Sequence, residues 1–261
     1  MSRIKKTFQN LKRPALVTFI TAGDPDHETS LRLLKSLPAA GADIVELGMP
    51  FSDPVADGPV IQLASQRALK AGATMHKTLD LVRAFRRDNS DTPLVLMGYA
   101  NPVFIYGTEK FAKDAAAAGV DGLIIVDQPP EESAELQNTT RAYGIDLIRL
   151  LTPTTDEKRL QTLLNGAGGF LYYVSVTGIT GGVRANVQTI MPHINMIKSH
   201  TDLPLVIGFG IKTPQDAADM AALADGIVVG SELVRTIADH SQSTDIVEVL
   251  QKKVAGLIQK L

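Results

Sequence analysis

The sequence predicts a closed eight-stranded α/β barrel, on three observations. Short apolar runs rich in β-branched residues recur at 16–21, 43–48, 94–98, 122–127, 146–151, 170–176, 205–208 and 226–230. Between them lie longer segments, at 28–39, 61–71, 77–87, 109–118, 131–143, 157–164, 186–198 and 215–223, whose apolar residues fall at three- and four-residue intervals, the spacing of an amphipathic helix. The repeat averages about 30 residues, the size of one strand–helix unit.

The runs are apolar at nearly every position, so each strand needs cover on both faces, as in a parallel sheet flanked by helices. Connections of a dozen or more residues suit parallel crossovers rather than hairpins. Eight such units close a (β/α)8 (TIM) barrel. An open doubly wound sheet is the alternative, but it would usually begin with a strand, a G-x-G-x-x-G turn and a helix, and that motif is absent. The spacing is uneven in two places: a loop at 49–59 precedes two helical segments after strand 2, and a glycine-rich stretch at 178–184 follows strand 6. Further helical segments at 3–11 and 246–259 should cap the ends. No low-complexity linker or charge run divides the chain, so residues 1–261 are expected to form a single domain.

Composition narrows the function. The chain has 261 residues, with 26 Lys plus Arg against 28 Asp plus Glu, 44% hydrophobic residues and no cysteine. A chain of this mass can bury roughly 73% of its unfolded surface, enough for a large core. Dispersed basic residues and a net charge of −2 argue against nucleic acid. Lacking cysteine, the chain cannot supply a disulfide, a thiolate metal site or a cysteine nucleophile. The first residues are charged without a following apolar run of signal-peptide length, and no stretch approaches the length of a membrane span, so a soluble cytoplasmic protein is expected.

Glu46 is the first residue to suggest chemistry. A carboxylate between Val45 and Leu47 in an apolar strand must pair, protonate or face a polar lumen. The turn at Gly48 and Pro50 puts it near the mouth where barrel active sites lie, and an apolar pocket there would raise its pKa toward neutrality. A structural ion pair is the plainer reading. Asp57 lies in the next loop. Asp-Pro and Asp-Gly steps are ordinary turn formers, but with Glu46 it offers two carboxylates to one bound molecule. Glycine clusters at 178–182, 208–210 and 230 follow three consecutive strands; each alone suits a turn, and together they suit a phosphate held by backbone N–H groups. No strand core contains lysine, which removes the Schiff-base nucleophile, and the five histidines show no metal-ligand spacing. The inventory points to proton transfer by carboxylates on a small phosphorylated substrate. Tyr99, Tyr172 and Phe209 either line a pocket or pack the core, while Asp127 and Arg149 read as structural polar groups.

The segment Val45-Glu46-Leu47-Gly48-Met49-Pro50-Phe51-Ser52-Asp53-Pro54-Val55-Ala56-Asp57-Gly58 resembles the signature of the tryptophan synthase α chain family. Phe19-Ile20-Thr21-Ala22-Gly23-Asp24-Pro25, Tyr99-Ala100-Asn101-Pro102, Asp127-Gln128-Pro129-Pro130, Thr177-Gly178-Ile179-Thr180-Gly181, Gly208-Phe209-Gly210-Ile211 and Gly230-Ser231 resemble further family motifs in the same order. The resemblance implies a barrel that cleaves indole-3-glycerol phosphate to indole and glyceraldehyde 3-phosphate, in the last steps of tryptophan synthesis. It implies Glu46 as general acid and base and Asp57 as acceptor of the indole N–H. It further implies Phe19, Met97, Tyr99, Ile124, Val126, Leu150, Tyr172 and Phe209 as pocket residues, Met97 and Val126 standing where the family pattern has Leu and Ala. Thr180 would orient Asp57 when a lid closes, and Gly181, Gly210, Gly230 and Ser231 would hold the phosphate. No metal or cofactor is implied on this chain; pyridoxal phosphate is implied on a β chain that receives the indole, usually in an α2β2 tetramer, and loop 49–59, with Asp53 and Pro54, is the expected contact with that partner. Two rivals remain on the residues alone: another phosphate-binding barrel enzyme, and a non-catalytic barrel that senses a phosphorylated metabolite.

Overall fold

A computed structural model describes residues 2–174, 187–208 and 210–261. Its strands are β1 (Ala15–Thr21), β2 (Ile44–Gly48), β3 (Leu94–Gly98), β4 (Gly122–Ile125), β5 (Asp146–Leu147), β6 (Arg149–Leu151), β7 (Leu171–Val174), β8 (Leu205–Gly208) and β9 (Gly226–Val229). All pair in parallel, in the order β5-β4-β3-β2-β1-β9-β8-β7-β6. The two edges of that sheet, β5 and β6, are halves of one run of chain separated by Ile148 alone, whose N–H still donates to the Leu123 carbonyl at 2.9 Å. The predicted strand at 146–151 is therefore this split strand. One half pairs with β4 and the other with β7, so the sheet closes on itself through the backbone as an eight-unit barrel.

Closure separates two cores because successive side chains of a strand point to opposite faces. Along β1, Leu16 and Ile20 belong to the layer between sheet and helices, and Val17 and Phe19 to the cluster inside the barrel. In β2 the outer layer takes Val45 and Leu47, and the inside takes Ile44. Each fully buried Leu or Ile of the outer layer contributes about 1.5–3 kcal/mol. The shell consists of α2 (His27–Ser36), α3 (Pro59–Lys70), α4 (Met75–Arg86), α5 (Ala100–Tyr106), α6 (Thr108–Ala118), α7 (Ala134–Ala142), α8 (Glu157–Leu164), α9 (Val187–His200), α10 (Pro214–Ala221), α11 (Ser231–Asp239) and α12 (Ile246–Ile258). Side-chain caps fix several starts: Asp26 for α2, Thr74 for α4, Asp156 for α8, and Thr213 with Asp216 as a reciprocal box for α10.

The amino-terminal helix, α1 (Arg3–Asn10), plugs the end of the barrel where the strands begin. Ile4 is fully buried in the inner cluster and Phe8 packs against Phe170, with ring centroids 5.9 Å apart and ring planes tilted by 59°. Arg3 donates to Asp121, which also takes bonds from Arg86 and the Leu94 N–H. The carboxy-terminal helix behaves differently from the expected cap: α12 packs on α2, α10 and α11 as part of the outer wall. Two shell helices, α5 and α11, fall outside the helical segments read from the sequence. Among the described residues no helix is long and apolar enough to cross a membrane.

Candidate active site at the barrel mouth

Glu46 is the third residue of β2, with Phe19 of β1 and Val95 of β3 as its register partners. Those neighbours belong to the inner cluster, and Glu46 alternates with Val45 and Leu47 of the outer layer, so its carboxyl enters the barrel interior. It is fully buried, and neither carboxyl oxygen has a hydrogen-bond partner among the described residues. Burial, and to a smaller degree the negative charge of Asp57, pushes its pKa up to about 8. The plainer reading, an ion pair, is therefore not what the described residues build: Glu46 stands as a neutral acid at pH 7.

Asp57 hangs over this interior from the loop between β2 and α3. Its N–H donates to the Pro54 carbonyl at 3.0 Å, its own carbonyl accepts from Gln62 Nε2 at 2.9 Å, and its Oδ2 accepts from the Tyr99 hydroxyl at 3.0 Å. The same hydroxyl oxygen accepts the Ala56 N–H at 3.0 Å, so one phenol ties the loop's backbone and its carboxylate to the end of β3. Burial raises the pKa of Asp57, and the Tyr99 bond opposes that rise. Tyr99→Phe is expected to move the Asp57 carboxyl further up, as read by carboxyl-carbon NMR titration; an unmoved titration would refute the bond's part in holding the carboxylate.

Phe19, Thr21, Gly48, Met49, Asp57, Ile61, Ser65, Met97, Gly98, Tyr99 and Val126 enclose a pocket with about 280 Å³ of space, part of it open to solvent. Gly48 makes room for it: a Cβ there would stand 2.6 Å from Phe19 Cζ, so any side chain would drive the ring out of place. Of the expected pocket residues, Phe19, Met97, Tyr99 and Val126 line this space, while Ile124, Leu150 and Tyr172 belong to the inner cluster beside it. Tyr172 is near enough for Glu46 and Asp57 to help burial raise its pKa well above the phenolic range. Thr180, Gly181 and Phe209 lie outside the described residues. Sequence reading missed Thr21, Met49, Ile61 and Ser65 in the wall, and the tether from Tyr99. Asp127 and Arg149 are structural: Asp127 accepts the Ala100 N–H that starts α5, and Arg149 donates to Ser133 and Gln137.

The expected anion site lies across the mouth. Gly230 precedes α11, whose first turn begins at Ser231 without a side-chain cap, leaving its leading N–H groups for a ligand. A Cβ on Gly230 would lie 3.3 Å from Phe19 Cβ, so this helix start abuts the pocket wall. Gly210 has φ +85°, a left-handed backbone that favours glycine. Gly210, Gly230 and Ser231 thus stand at the ends of β8 and β9, with an apolar, acid-bearing pocket beside them. Among the described residues no group of three or more His, Asp or Glu side chains is placed to hold a metal ion.

Residues 5–260 match the family model for the tryptophan synthase alpha chain. The structure of tryptophan synthase subunit alpha from Legionella pneumophila str. Paris is 39% identical, with a TM-score of 0.92 over 100% of this chain and 98% of that one. A chain from Aquifex aeolicus VF5 is 38% identical, with a TM-score of 0.91 over 100% of this chain and 99% of that one. A chain of tryptophan synthase from M. tuberculosis, in an aminoacrylate-bound form, is 32% identical, with a TM-score of 0.87 over 98% of each chain.

Proposed function

The chain belongs to the tryptophan synthase alpha chain family, and from that premise we propose that Glu46 and Asp57 carry a retro-aldol cleavage of indole-3-glycerol phosphate. The family makes it a lyase of tryptophan biosynthesis that works with a β chain. The observation that carries the assignment of residues is a fully buried, unpartnered Glu46 whose pKa is pushed up to about 8 by burial and by the charge of a second carboxylate, Asp57, tethered over the same pocket.

The substrate lies with its indole ring in the pocket and its phosphate on the N–H groups at Gly210, Gly230 and Ser231, with Gly181 completing the cradle. Neutral Glu46 gives its proton to ring carbon 3, and the ring nitrogen takes up positive charge. The Asp57 carboxylate accepts the ring N–H and stabilises that charge as it grows, in a site where little water screens the interaction. Glu46, now ionised, removes the proton from the side-chain hydroxyl next to the ring. The carbon–carbon bond breaks, its electron pair returns to the ring as indole, and the hydroxyl carbon becomes the aldehyde. One proton leaves Glu46 and one returns, so the enzyme ends as it began. Ile124, Leu150, Tyr172 and Phe209 extend the apolar wall, and Thr180 steadies Asp57 from its other side.

This reading assigns no cofactor and no metal to the chain, places pyridoxal phosphate on the β partner, and puts the pair in an α2β2 tetramer in the cytoplasm. Loop 49–59 is the docking segment. Val55 on that loop is 74% exposed, and Ile105 on α5, at the same mouth, is 79% exposed, apolar surface suited to a partner. The deciding experiment mixes the isolated chain with indole-3-glycerol phosphate and measures indole release, alone and with a β chain. Release that rises with the β chain is expected. No release in either condition would reject the reaction, and equal rates would reject activation of the chain by docking of the β chain. Consumption of the substrate with no indole released would favour another phosphate-binding barrel enzyme.

A further inference from the structure

α3 is tied down at both ends. Near its start, Gln62 Nε2 donates to the Asp57 carbonyl at 2.9 Å, Ile61 and Ser65 form part of the pocket wall, and Ala64 is fully buried in the inner cluster. Further along the helix, Arg67 Nε and Nη2 each donate at 2.8 Å to the two carboxyl oxygens of Asp24, in the loop that follows β1. The Asp24 side chain is 1% exposed. The turn that carries it presses on the end of the same helix: a Cβ on Gly23, where φ is +80°, would lie 3.1 Å from Ala73 Cβ and 3.8 Å from Ala68 Cβ.

A buried carboxylate is a poor source of stability. Burial raises the pKa of Asp24 while the Arg67 bond opposes it, and apolar side chains of similar size generally stabilise such a place as well or better. A two-bonded guanidinium–carboxylate pair instead offers direction, because the planar fork accepts its partner in one orientation. Here that orientation fixes the height and rotation of α3 against the end of β1. The helix passes it to Asp57 through Gln62.

We propose that the Arg67–Asp24 pair is a positioning clamp for the reaction: by fixing α3, whose Gln62 holds the Asp57 carbonyl, it sets where the Asp57 carboxylate meets the ring N–H of the substrate. The proposal rests on the reading of Asp57 given above. Arg67, Asp24 and Gln62 touch no reacting atom; they act through Asp57.

The test compares the affinities of two stable probes, 3-(indol-3-yl)propyl phosphate and its 1-methyl derivative, which cannot donate from the ring nitrogen. Calorimetry on the wild-type chain is expected to show a preference of about tenfold or more for the N–H probe, the value of a hydrogen bond to a charged acceptor. Arg67→Lys, Asp24→Asn and Gln62→Met are each expected to bring that preference below about threefold, and Arg67→Lys combined with Gln62→Met to bring it no lower, since they lie on one path. A preference retained in folded Arg67→Lys or Asp24→Asn overturns the clamp. So does an equal loss of affinity for both probes, which is what a pocket merely loosened by the substitution would give. If the clamp variants fail to fold, Gln62→Met decides: an undiminished preference there overturns the proposal. A wild-type chain that binds the probes without preferring the N–H form defeats the reading of Asp57 itself, an outcome separate from failure of the clamp.

Discussion

Glu46→Gln lowers the rate of indole release by at least about 10²-fold, the low end for a positioned proton-transfer group, while phosphate-bearing analogues still bind. An amide has the shape of the acid but no proton to give to ring carbon 3, and it cannot take one from the hydroxyl. The wild-type enzyme should also lose kcat/KM as pH rises through about 8, where Glu46 ionises and ceases to be an acid. That alkaline limb should vanish from the residual rate of the variant. The same substitution has a stability signature of opposite sense. Unfolded Glu46 ionises near 4.5, and the folded group only near 8. Between those values the unfolded chain has released a proton that the native chain still holds, so rising pH favours unfolding, by up to about 1.4 kcal/mol per pH unit. This cost is absent below the lower value and complete above the upper one. Glutamine does not titrate. Urea denaturation from about pH 5 to about pH 8 should therefore show Glu46→Gln gaining on the wild type as pH rises. Parallel stability curves would mean that Glu46 is not the desolvated acid described here.

Much of this was legible in the sequence, and the parts that were not share a physical cause. Strands such as Leu94–Gly98 and Leu205–Gly208 are visible because a strand covered on both faces must be apolar throughout. Glu46 is visible for the converse reason, being the polar exception in such a run. α5 escaped because its seven residues, with Val103, Phe104, Ile105 and Tyr106 in a row, carry weak helical propensity and an early proline. Ala100 begins it on a hydrogen bond from 27 residues away, at Asp127. α11 escaped because Gly230 and Ser231 read as a turn, although Leu233, Val234 and Ile237 have helical spacing. The split at Ile148 follows from barrel closure and has no local sign. Pairs that build the site, Tyr99 with Asp57 and Arg67 with Asp24, span 42 and 43 residues, and only the folded barrel brings them together.

Asp57→Asn should cost about 10²–10³-fold in kcat, the range seen when one preorganised electrostatic group is lost, on top of a rise in KM from the ring N–H bond already lost in the ground state. In the ground state the ring N–H needs only an acceptor; after carbon 3 is protonated the ring is cationic and the full charge of Asp57 matters. The surroundings make an amide worse than a neutral acceptor. The Tyr99 oxygen already accepts the Ala56 N–H, and its hydrogen goes to Asp57 Oδ2. The amide of the Asp57→Asn variant would therefore turn its carbonyl toward Tyr99 and its NH2 toward the substrate, setting donor against donor. The opposite orientation leaves the phenol's hydrogen without an acceptor, at a cost of about 1–3 kcal/mol if it stays buried. Removing the phenol frees the amide to present its oxygen to the ring. Tyr99→Phe alone should slow the enzyme, yet Asp57→Asn should cost less in the Tyr99→Phe background than in the wild type, an antagonism of about fivefold or more between residues in contact. Multiplicative losses in the double variant would show that Tyr99 does not dictate which atom at position 57 faces the substrate, and would leave lost charge as the whole explanation.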